Sequence, residues 1–326
     1  MNKIISTLLI GASTLTFAQS YAPAAGEVGT TAIKADSSIF VAWAKNVEVT
    51  RGFVNISDTT VEAEGSNRAS AGAPENAIGP SNNSIVSLGD SGIAIVTFNT
   101  PITNGAGYDF AVFENGFSHT FLELAHVEVS SDGVNFVRFP SHSETQIDTQ
   151  VGGFGALDAT YLNNLAGKYK GGFGTPFDLE ELKDSENLNI DQITHVKIID
   201  VVGTIGPEGT TDSYGNKIND PFPTPFASSG FDLNAIGVIN EFKNVSLDDE
   251  HLTFMVYPNP SNGIINIQLN NSDVSEVYIT NSLGKQVNHT TVLNTDTLFQ
   301  IELPKGVYFI HISSKDKAIS RIVIVR

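Results

Sequence analysis

The segment LAHVEVSSDGVNFVRF, residues 124–139, decides the fold class of this chain. Ala125, Val127 and Val129 alternate with polar residues, which is the period of a β-strand with one buried and one exposed face. The dipeptide Asp132-Gly133 that follows tolerates the positive φ angles of a tight turn. The segment therefore predicts a β-hairpin whose second strand returns against the first.

Short apolar or alternating runs, separated by Gly, Asn, Asp and Pro, continue through residues 39–239, a pattern typical of an all-β sandwich. Strands are predicted near Ile39–Trp43, Val47–Phe53, Ile93–Phe98, Asp109–Phe113, Leu124–Ser130, Phe136–Phe139, Thr194–Val202 and Asp232–Ile239. Two long segments, 141–189 and 203–230, are predicted to be loops that fold over the sandwich, the first with a short helix at Leu179–Leu182.

A second series of short strands begins at Phe254, after an acidic and poorly patterned stretch at 241–250 that we interpret as a linker. Residues 251–326 have the length and strand spacing of a small immunoglobulin-like β-sandwich. The chain is therefore predicted to be all-β, with a larger sandwich at 19–240 before the smaller one. The tail strands are predicted near Ile264–Leu269, Glu276–Thr280, Leu298–Leu303, Val307–Ser313 and Ile319–Val325.

Residues 1–18 are typical of a secretory signal peptide. A basic start at Lys3 precedes an apolar stretch from Ile4 to Phe17, and small residues precede Gln19, so cleavage is expected after Ala18. The apolar stretch is shorter than the ~20 residues that span a bilayer and is interrupted by hydroxyl side chains. We expect the protein to be exported and to have no transmembrane segment.

The composition excludes several classes of function. The chain has 36 acidic and 18 basic side chains, a formal net charge of −18, which disfavours binding to nucleic acids and to anionic lipids. It has no cysteine, so disulfide bonds, thiolate metal sites and cysteine nucleophiles are excluded.

Four blocks in the tail, VYPNP (256–260) followed by a glycine, ITNSLGK (279–285), LPKGVYF (303–309) and RIVIVR (321–326), carry a resemblance to a known family. With them the tail resembles the type A C-terminal sorting domain of the type IX secretion system of Bacteroidota. The resemblance implies that the tail addresses the folded protein to the outer-membrane translocon and its sorting machinery, and that the protein is then attached to the outer surface or released. The motif residues are Tyr257, Pro258, Asn259, Pro260, Gly263, Gly284, Lys285, Gly306 and Tyr308.

The central region resembles bacterial cell-surface proteins that have a jelly roll similar to galactose-binding or discoidin-like domains. The residues that carry this resemblance are AGAPENAIGP (71–80), SLGDSG (87–92), FAVFENGF (110–117), VEVSSDGVNF (127–136) and GFDLNAIGV (230–238). The resemblance implies a jelly-roll-like β-sandwich that binds sugars, lipids or proteins through loops at one end, and it leaves the ligand open.

Oxygen-bearing side chains lie at the ends of the predicted strands. Asp200 is in phase with the apolar residues of its strand, and Glu114 follows Phe110 and Val112 in the same way, so both carboxylates are predicted to face inward. An inward carboxylate needs a cation or several hydrogen-bond donors to offset its desolvation. The alternative is that these acids cap turns without a metal. The candidate ligands of a structural Ca²⁺ are Glu114, Asp200, Asp212, Asn216, Asp220 and Asp232.

Aromatic residues in the two long loops are candidates for ligand recognition, because a sugar or a flat small molecule needs a ring to stack on and polar groups to orient it. The alternative is that these rings are buried and hold the loops against the sandwich. The candidates are Tyr161, Tyr169, Phe173, Tyr214, Phe222 and Phe226.

Two features of the sequence bear on enzymatic function. Gly89-Asp90-Ser91-Gly92 matches the nucleophile motif of trypsin-like proteases, but every histidine follows Ser91, which is the wrong order for that triad, so the motif predicts a turn between strands. A pair of facing carboxylates for glycoside hydrolysis stays open, with Glu114 and Glu128 as the first candidates.

The sequence thus predicts a secreted or surface-attached, non-enzymatic binding protein that recognises a glycan or another small molecule through long loops on a rigid sandwich stiffened by Ca²⁺. A structural or adhesive surface protein without a small ligand is the first alternative. A glycan-active hydrolase is the second.

Overall fold

The chain divides into two compact units, residues 1–242 and 243–326. The predicted signal peptide and most of the predicted linker lie outside the described residues. In the described part, no helix is long and apolar enough to cross a membrane. The computed structural model describes residues 21–242, 254–269, 276–291, 298–313 and 318–326.

The described part of the first unit consists of short strands and three 3-10 turns. The strands are β1 (Ile33–Lys34), β2 (Ala42–Trp43), β3 (Asn46–Thr50), β4 (Val86–Ser87), β5 (Ile93–Ile102), β6 (Phe110–Glu114), β7 (Ala125–Ser130), β8 (Val137–Arg138), β9 (His142–Ser143), β10 (Leu162–Asn163), β11 (Phe173–Phe177), β12 (Ile193–Asp200) and β13 (Asp232–Val238). The 3-10 turns are Pro74–Ala77, Ala159–Tyr161 and Leu179–Leu182.

Two antiparallel sheets of this unit share one hydrophobic core. One sheet has the order β1-β11-β6-β13-β2, with β4 also paired to β13, and the other has the order β3-β5-β12-β7-β8. Phe110, Val112 and Ile236 of the first sheet and Val127 and Ile198 of the second belong to the same buried cluster. The strands β9 and β10 form a separate two-stranded ribbon. The predicted all-β sandwich is confirmed.

The hairpin predicted from residues 124–139 is confirmed, because β7 pairs with β8 and the Asp132 carboxylate accepts the backbone N–H groups of the turn. The predicted exposure of one face of β7 was wrong. His126 is only 1% exposed, and Ser141 covers it with Oγ 3.3 Å from His126 Nδ1. The chain after β8 folds back over the face that alternation assigned to solvent.

The predicted loop at 141–189 contains more regular structure than expected. It contributes β9, β10 and β11, and β11 lies inside the main sheet between β1 and β6. Gly174 and Pro176 are residues with low strand propensity, so the sequence of β11 is more typical of a loop. A Cβ at Gly174 would lie 2.8 Å from the Phe113 ring, so the glycine permits a close approach. The predicted short helix at Leu179–Leu182 is present as a 3-10 turn.

The second unit is also built from antiparallel strands. The described strands are β14 (Phe254–Tyr257), β15 (Ile264–Leu269), β16 (Glu276–Asn281), β17 (Gln286–Thr291), β18 (Leu298–Glu302), β19 (Gly306–Ser313) and β20 (Ala318–Val325). The sheet orders are β14-β15-β18 and β17-β16-β19-β20. The buried cluster of this unit draws on both sheets, with Ile265 and Ile267 from one and Ile279, Ile310 and Val323 from the other.

Candidate functional site

Antiparallel pairing brings together acidic residues from three strands and from the segment before β7 in the first sandwich. Glu114 at the end of β6 lies beside Asp232 at the start of β13. In the other sheet, Asp200 at the end of β12 lies beside the start of β7, which Glu123 precedes by two positions. Acids from both sheets therefore lie buried inside the sandwich.

Three of these carboxylates form a compact group. One oxygen from each of Glu114, Glu123 and Asp232 lies within 4.8 Å of the other two, and the side chains are 2%, 8% and 7% exposed. Glu114 Oε2 accepts a 2.5 Å hydrogen bond from the backbone N–H of Gly116, and Asp232 Oδ1 accepts one from the Ser87 hydroxyl. We call these three residues the carboxylate group.

Glu123 has the fewest favourable contacts in the carboxylate group. Its side chain accepts no hydrogen bond from the described residues, and the charges that act on it are those of Glu114, Asp232, Asp220 and Asp200. Burial, and then this repulsion, raises the pKa of Glu123 well above its ordinary value. The geometry thus points a buried, unpartnered carboxylate at two others.

The pKa values of Glu114 and Asp232, the other two members of the carboxylate group, are also raised by burial. Burial and then the Asp232 charge raise the pKa of Glu114 well above its ordinary value. Burial raises the pKa of Asp232 to about 6, although hydrogen bonds from Ser87 and Asn115 and the charge of Arg51 oppose the rise.

Arg51 does not neutralise the carboxylate group through a direct bond. Its guanidinium donates to the backbone carbonyl oxygens of Ala71, Gly72 and Ser87. Its charge nevertheless acts on Asp232 at longer range. Within the described part of the chain, no salt bridge involves Glu114, Glu123 or Asp232.

A second set of buried acids, Asp90, Asp200 and Asp220, lies near enough to act on the carboxylate group. Burial raises the pKa of Asp90 to about 6, and burial together with the neighbouring carboxylates raises those of Asp200 and Asp220 well above the ordinary value. Each accepts a hydrogen bond from at least one backbone N–H group of a segment distant in the chain. The donors are the backbone N–H groups of Ile56 for Asp90, Ser91 and Phe231 for Asp200, and Leu124 for Asp220.

The structure removes two residues from the predicted set of metal ligands. Asp212 and Asn216 form their own turn, in which the Asp212 carboxylate accepts N–H bonds from Ser143, Tyr214 and Asn216. Burial raises the pKa of Asp212, but these hydrogen bonds outweigh burial and leave the pKa below its ordinary value. Both carboxylate oxygens of Asp212 therefore accept hydrogen bonds from protein donors.

Glu128, the candidate partner of Glu114 in the alternative of glycoside hydrolysis, is held in an ion-pair network. Arg138 donates two hydrogen bonds to Glu128 Oε1, and Lys197 Nζ lies 2.9 Å from Oε2. Burial raises the pKa of Glu128, but these two partners outweigh it and leave the pKa below its ordinary value. Glu114 and Glu128 belong to different sheets, on β6 and β7.

A surface cleft of about 510 Å³ opens beside the β9-β10 ribbon. Tyr161 lines it, and the ring is 42% exposed. Glu144 Oε2 and Thr145 Oγ1 in the same lining are buried and have no hydrogen-bond partner among the residues that the structure describes. Buried polar atoms are nearly always hydrogen-bonded, so these two atoms are available to a bound molecule or to water. We call this the Tyr161 cleft.

The six predicted ligand-binding rings are not brought together. Tyr161, Tyr214 and Phe226 are exposed, Phe173 is half-buried, and Tyr169 and Phe222 are buried. The Tyr169 hydroxyl lies 2.8 Å from Thr31 Oγ1, which fixes the ring inside the protein. The expectation of ligand contact is therefore corrected for Tyr169 and Phe222, because rings that hold a loop against the sandwich cannot also face solvent.

Four phenylalanine rings form a row on the surface. Phe117 stacks on Phe121 at 5.1 Å between ring centroids, Phe121 on Phe154 at 6.1 Å, and Phe154 lies 5.6 Å from Phe226. Phe117 and Phe154 are 76% and 75% exposed. We call these four residues the phenylalanine row; of them, the sequence singled out Phe226 alone.

The sequence also gave little reason to select Glu123 or Asp90. Glu123 stands between Leu122 and Leu124, so an alternating pattern assigns it to the face opposite two buried leucines. Asp90 belongs to the motif Gly89-Asp90-Ser91-Gly92, which the sequence analysis interprets as a turn. The one available signal was position, since each of these acids lies within two or three residues of a predicted strand end.

The predicted sorting residues have structural roles in the second unit. Asn259 Nδ2 donates to the carbonyl of Ile322, and Asn259 Oδ1 accepts the N–H of Ile324, both at 2.9 Å. The Tyr308 hydroxyl donates to the carbonyl of Pro304 at 2.9 Å. The VYPNP block therefore fastens the last strand of the chain, β20.

Two glycines of the sorting blocks occupy backbone conformations that favour glycine. Gly263 and Gly284 have φ angles of +123° and +77°. The turn at Gly284 is closed by Asn281, whose Oδ1 accepts the N–H of Lys285 at 3.0 Å. Tyr257 and Gly306 lie at strand ends, in β14 and β19.

Solved structures resemble this chain only remotely. A chain described as "Biofilm associated protein - BSP domain" aligns at 12% identity and a TM-score of 0.25, over 75% of this chain and 52% of its own length. A β-glucuronidase of Ruminococcus gnavus aligns at 11% identity and a TM-score of 0.17, over 73% and 35%. One of Faecalibacterium prausnitzii aligns at 12% identity and a TM-score of 0.18, over 90% and 46%. The chain thus spans about half of the first chain and less than half of the other two. At these TM-scores the similarities carry no argument about function.

No curated protein matches the chain significantly. One family does match, over residues 255–326, and it is described as "Secretion system C-terminal sorting domain". This match confirms the resemblance of the tail, whereas the jelly-roll resemblance of the central region stays a prediction. Residues 255–326 are thus a type IX secretion C-terminal sorting domain, which supports a secreted or cell-surface location for the protein.

Proposed function

We propose that this protein is a non-enzymatic binding protein of the outer cell surface that holds a neutral carbohydrate in the Tyr161 cleft. The observation that carries the proposal is the cleft itself, in which two buried polar atoms, Glu144 Oε2 and Thr145 Oγ1, lack partners beside an exposed tyrosine ring. Its volume of about 510 Å³ falls in the range of ligand pockets, ~300–1,000 Å³.

The chemistry of the lining favours a polyhydroxylated ligand with one apolar face. The Tyr161 ring offers a surface for the C–H face of a sugar, and Glu144 Oε2 accepts a hydrogen bond from a hydroxyl group. Thr145 Oγ1 can donate to a hydroxyl or accept from one. A uronic acid would meet the Glu144 carboxylate and a protein of net charge −18, so a neutral sugar fits better.

Binding to immobilised polysaccharides tests this proposal. We expect the purified full chain to be retained on at least one neutral polysaccharide among xylan, mannan and β-glucan, and not on polygalacturonate. Tyr161→Ala and Glu144→Gln should each abolish retention, whereas Phe117→Ala should not, because Phe117 is exposed outside the cleft lining. Retention unaffected by Tyr161→Ala, or no retention on any neutral polysaccharide, contradicts the carbohydrate assignment.

Export is tested separately from binding. Deletion of residues 255–326 removes the sorting domain and should leave the protein in the periplasm, while the full chain reaches the surface or the medium. Surface display of the truncated chain would contradict the role of the tail.

The phenylalanine row favours a second candidate, adhesion of the protein to an apolar surface without a small ligand. Two rings that are three-quarters exposed and stacked through their neighbours form an apolar surface of the kind that marks interaction sites. Under this candidate Phe117→Ala weakens adsorption to a hydrophobic surface and Tyr161→Ala does not. The two variants therefore separate the two candidates.

A further inference from the structure

The carboxylate group is compact enough to share one calcium ion. Oxygens on opposite sides of Ca²⁺, each bound at about 2.4 Å, are separated by about 4.8 Å. The oxygens of Glu114, Glu123 and Asp232 lie within 4.8 Å of one another. Small movements of these three side chains therefore bring all three oxygens to one ion.

Glu123 supplies an independent indication of a ligand. Its side chain is 92% buried, its carboxylate has no hydrogen-bond donor among the described residues, and it points at two further carboxylates. Burying an unpaired carboxylate costs several kcal/mol unless a cation or donors compensate it. Asp200 and Asp220 illustrate the contrast, because the Asp200 carboxylate accepts two backbone N–H groups and the Asp220 carboxylate accepts one.

The donor set selects the class of cation. The group contains oxygen ligands and no histidine, and the chain has no cysteine, which favours a hard cation over zinc or copper. The Phe121 carbonyl oxygen lies on the same side of Gly116 as the carboxylate of Glu114, since a Cβ built on Gly116 would lie 2.8 Å from that carbonyl oxygen and 2.9 Å from Glu114 Oε2. Carbonyl oxygens and carboxylates together are the usual ligands of Ca²⁺.

The carboxylate group lies at the base of loop 115–122. Glu114 and Glu123 stand at the two ends of loop 115–122, which carries Phe117 and Phe121 of the phenylalanine row. One ion bound to both glutamates closes the base of this loop and connects it to β13 through Asp232.

We propose that Glu114, Glu123 and Asp232 form a calcium site that fastens loop 115–122 to the sandwich. The site is separate from the Tyr161 cleft and does not depend on carbohydrate binding. It differs from the sequence-based set in gaining Glu123 and in leaving out Asp212, Asn216, Asp200 and Asp220, whose carboxylates or amides bond to protein groups.

Calorimetric titration of the purified, chelator-treated full chain with CaCl₂ tests the proposal. We expect one ion to bind per chain, Glu123→Gln to weaken binding at least about tenfold because a charged ligand is lost, and Mg²⁺ to bind more weakly than Ca²⁺. Glu144→Gln is the matched control, since it neutralises a half-buried glutamate outside the group and should leave the calcium affinity unchanged.

Thermal unfolding supplies a second readout, in which each variant melted in chelator is the reference for the same variant in calcium. In chelator Glu123→Gln should melt at a higher temperature than the wild type, because it removes repulsion among buried carboxylates; in calcium this order should reverse. A wild type without calcium heat or calcium-dependent melting overturns the proposal, as does a Glu123→Gln variant that binds calcium like the wild type. Equal affinity for magnesium overturns the calcium assignment.

Discussion

The carboxylates of Glu114 and Glu123 approach each other inside the protein although the two residues stand at opposite ends of loop 115–122. Gly116 makes this approach possible, because a side chain there would collide with both Glu114 Oε2 and the Phe121 carbonyl. The closure of the loop and the convergence of the two acids are therefore one structural feature.

Gly116→Ala is expected to destabilise the protein by about 1–3 kcal/mol, since the added methyl group meets the carbonyl oxygen of Phe121 at 2.8 Å. Gly152→Ala is the control, because nothing lies within 4 Å of a Cβ there. Urea unfolding of both variants separates the collision from the general effect of replacing glycine. Equal midpoints for the two variants would show that loop 115–122 is not closed in this way.

Asp90→Asn is expected to stabilise the protein at neutral pH when calcium is absent. Burial raises the pKa of Asp90 to about 6. The contribution of this group to the free energy of unfolding is therefore fully present below the unfolded pKa of about 4, and it is lost as the pH rises through about 6. Asparagine can still accept the Ile56 N–H bond. Denaturant unfolding in chelator should show no difference at pH 4 and an advantage of up to about 3 kcal/mol for the variant at pH 7.5. A difference that does not vary with pH would contradict this assignment.

His126 is expected to make the protein sensitive to mild acid. Burial and then the charge of Arg138 lower the pKa of His126 to about 4, against the charges of Glu128 and Asp212. The unfolded chain takes up a proton near pH 6.5 and the folded one does not until about pH 4, so stability is lost as the pH falls between these values.

The difference between the wild type and His126→Gln isolates this effect from the acids that titrate in the same range. We expect the wild type to lose about 3 kcal/mol more than the variant between pH 7 and pH 4. Parallel stability curves for the two proteins would mean that His126 takes up its proton equally well in both states.

Asn259→Ala is expected to release β20 from the rest of the sorting domain, because it removes both bonds to Ile322 and Ile324. The cost should be about 1–3 kcal/mol, with a larger fraction of protein retained inside the cell. Asn266→Ala is the control, because it also removes two side-chain bonds, to the Tyr257 carbonyl at 3.2 Å and from Gln300 Nε2 at 3.3 Å, but neither involves β20. Immunoblots of surface and periplasmic fractions measure the outcome. Normal display of Asn259→Ala with a destabilised tail would show that recognition tolerates a loose last strand.

The sequence predicted strands well where apolar residues alternate or run together, as in β5, β7, β12 and β13, and it predicted the hairpin at Asp132-Gly133. It did not predict β11, because Gly174 and Pro176 are poor strand residues and only the neighbouring strands hold them extended. The tail was identified through its blocks, whose turn geometry is local and therefore visible in sequence.

The candidate sites were harder to predict because they depend on contacts distant in the chain. The phase of Glu114 and Asp200 along their strands correctly indicated that both carboxylates face inward. Strand phase cannot show that Glu123 meets Glu114 across a loop, or that Asp212 is satisfied by Ser143. Likewise the exposure of Phe117 and the burial of Tyr169 depend on which loop covers which face.

The central claim is that the carboxylate group holds one calcium ion, and a crystal structure of the full chain grown in calcium tests it most directly. The account predicts an anomalous difference peak at about 2.3–2.6 Å from oxygens of Glu114, Glu123 and Asp232. A well-ordered structure with no peak there, or with the Glu123 carboxylate turned to a protein donor, would contradict it.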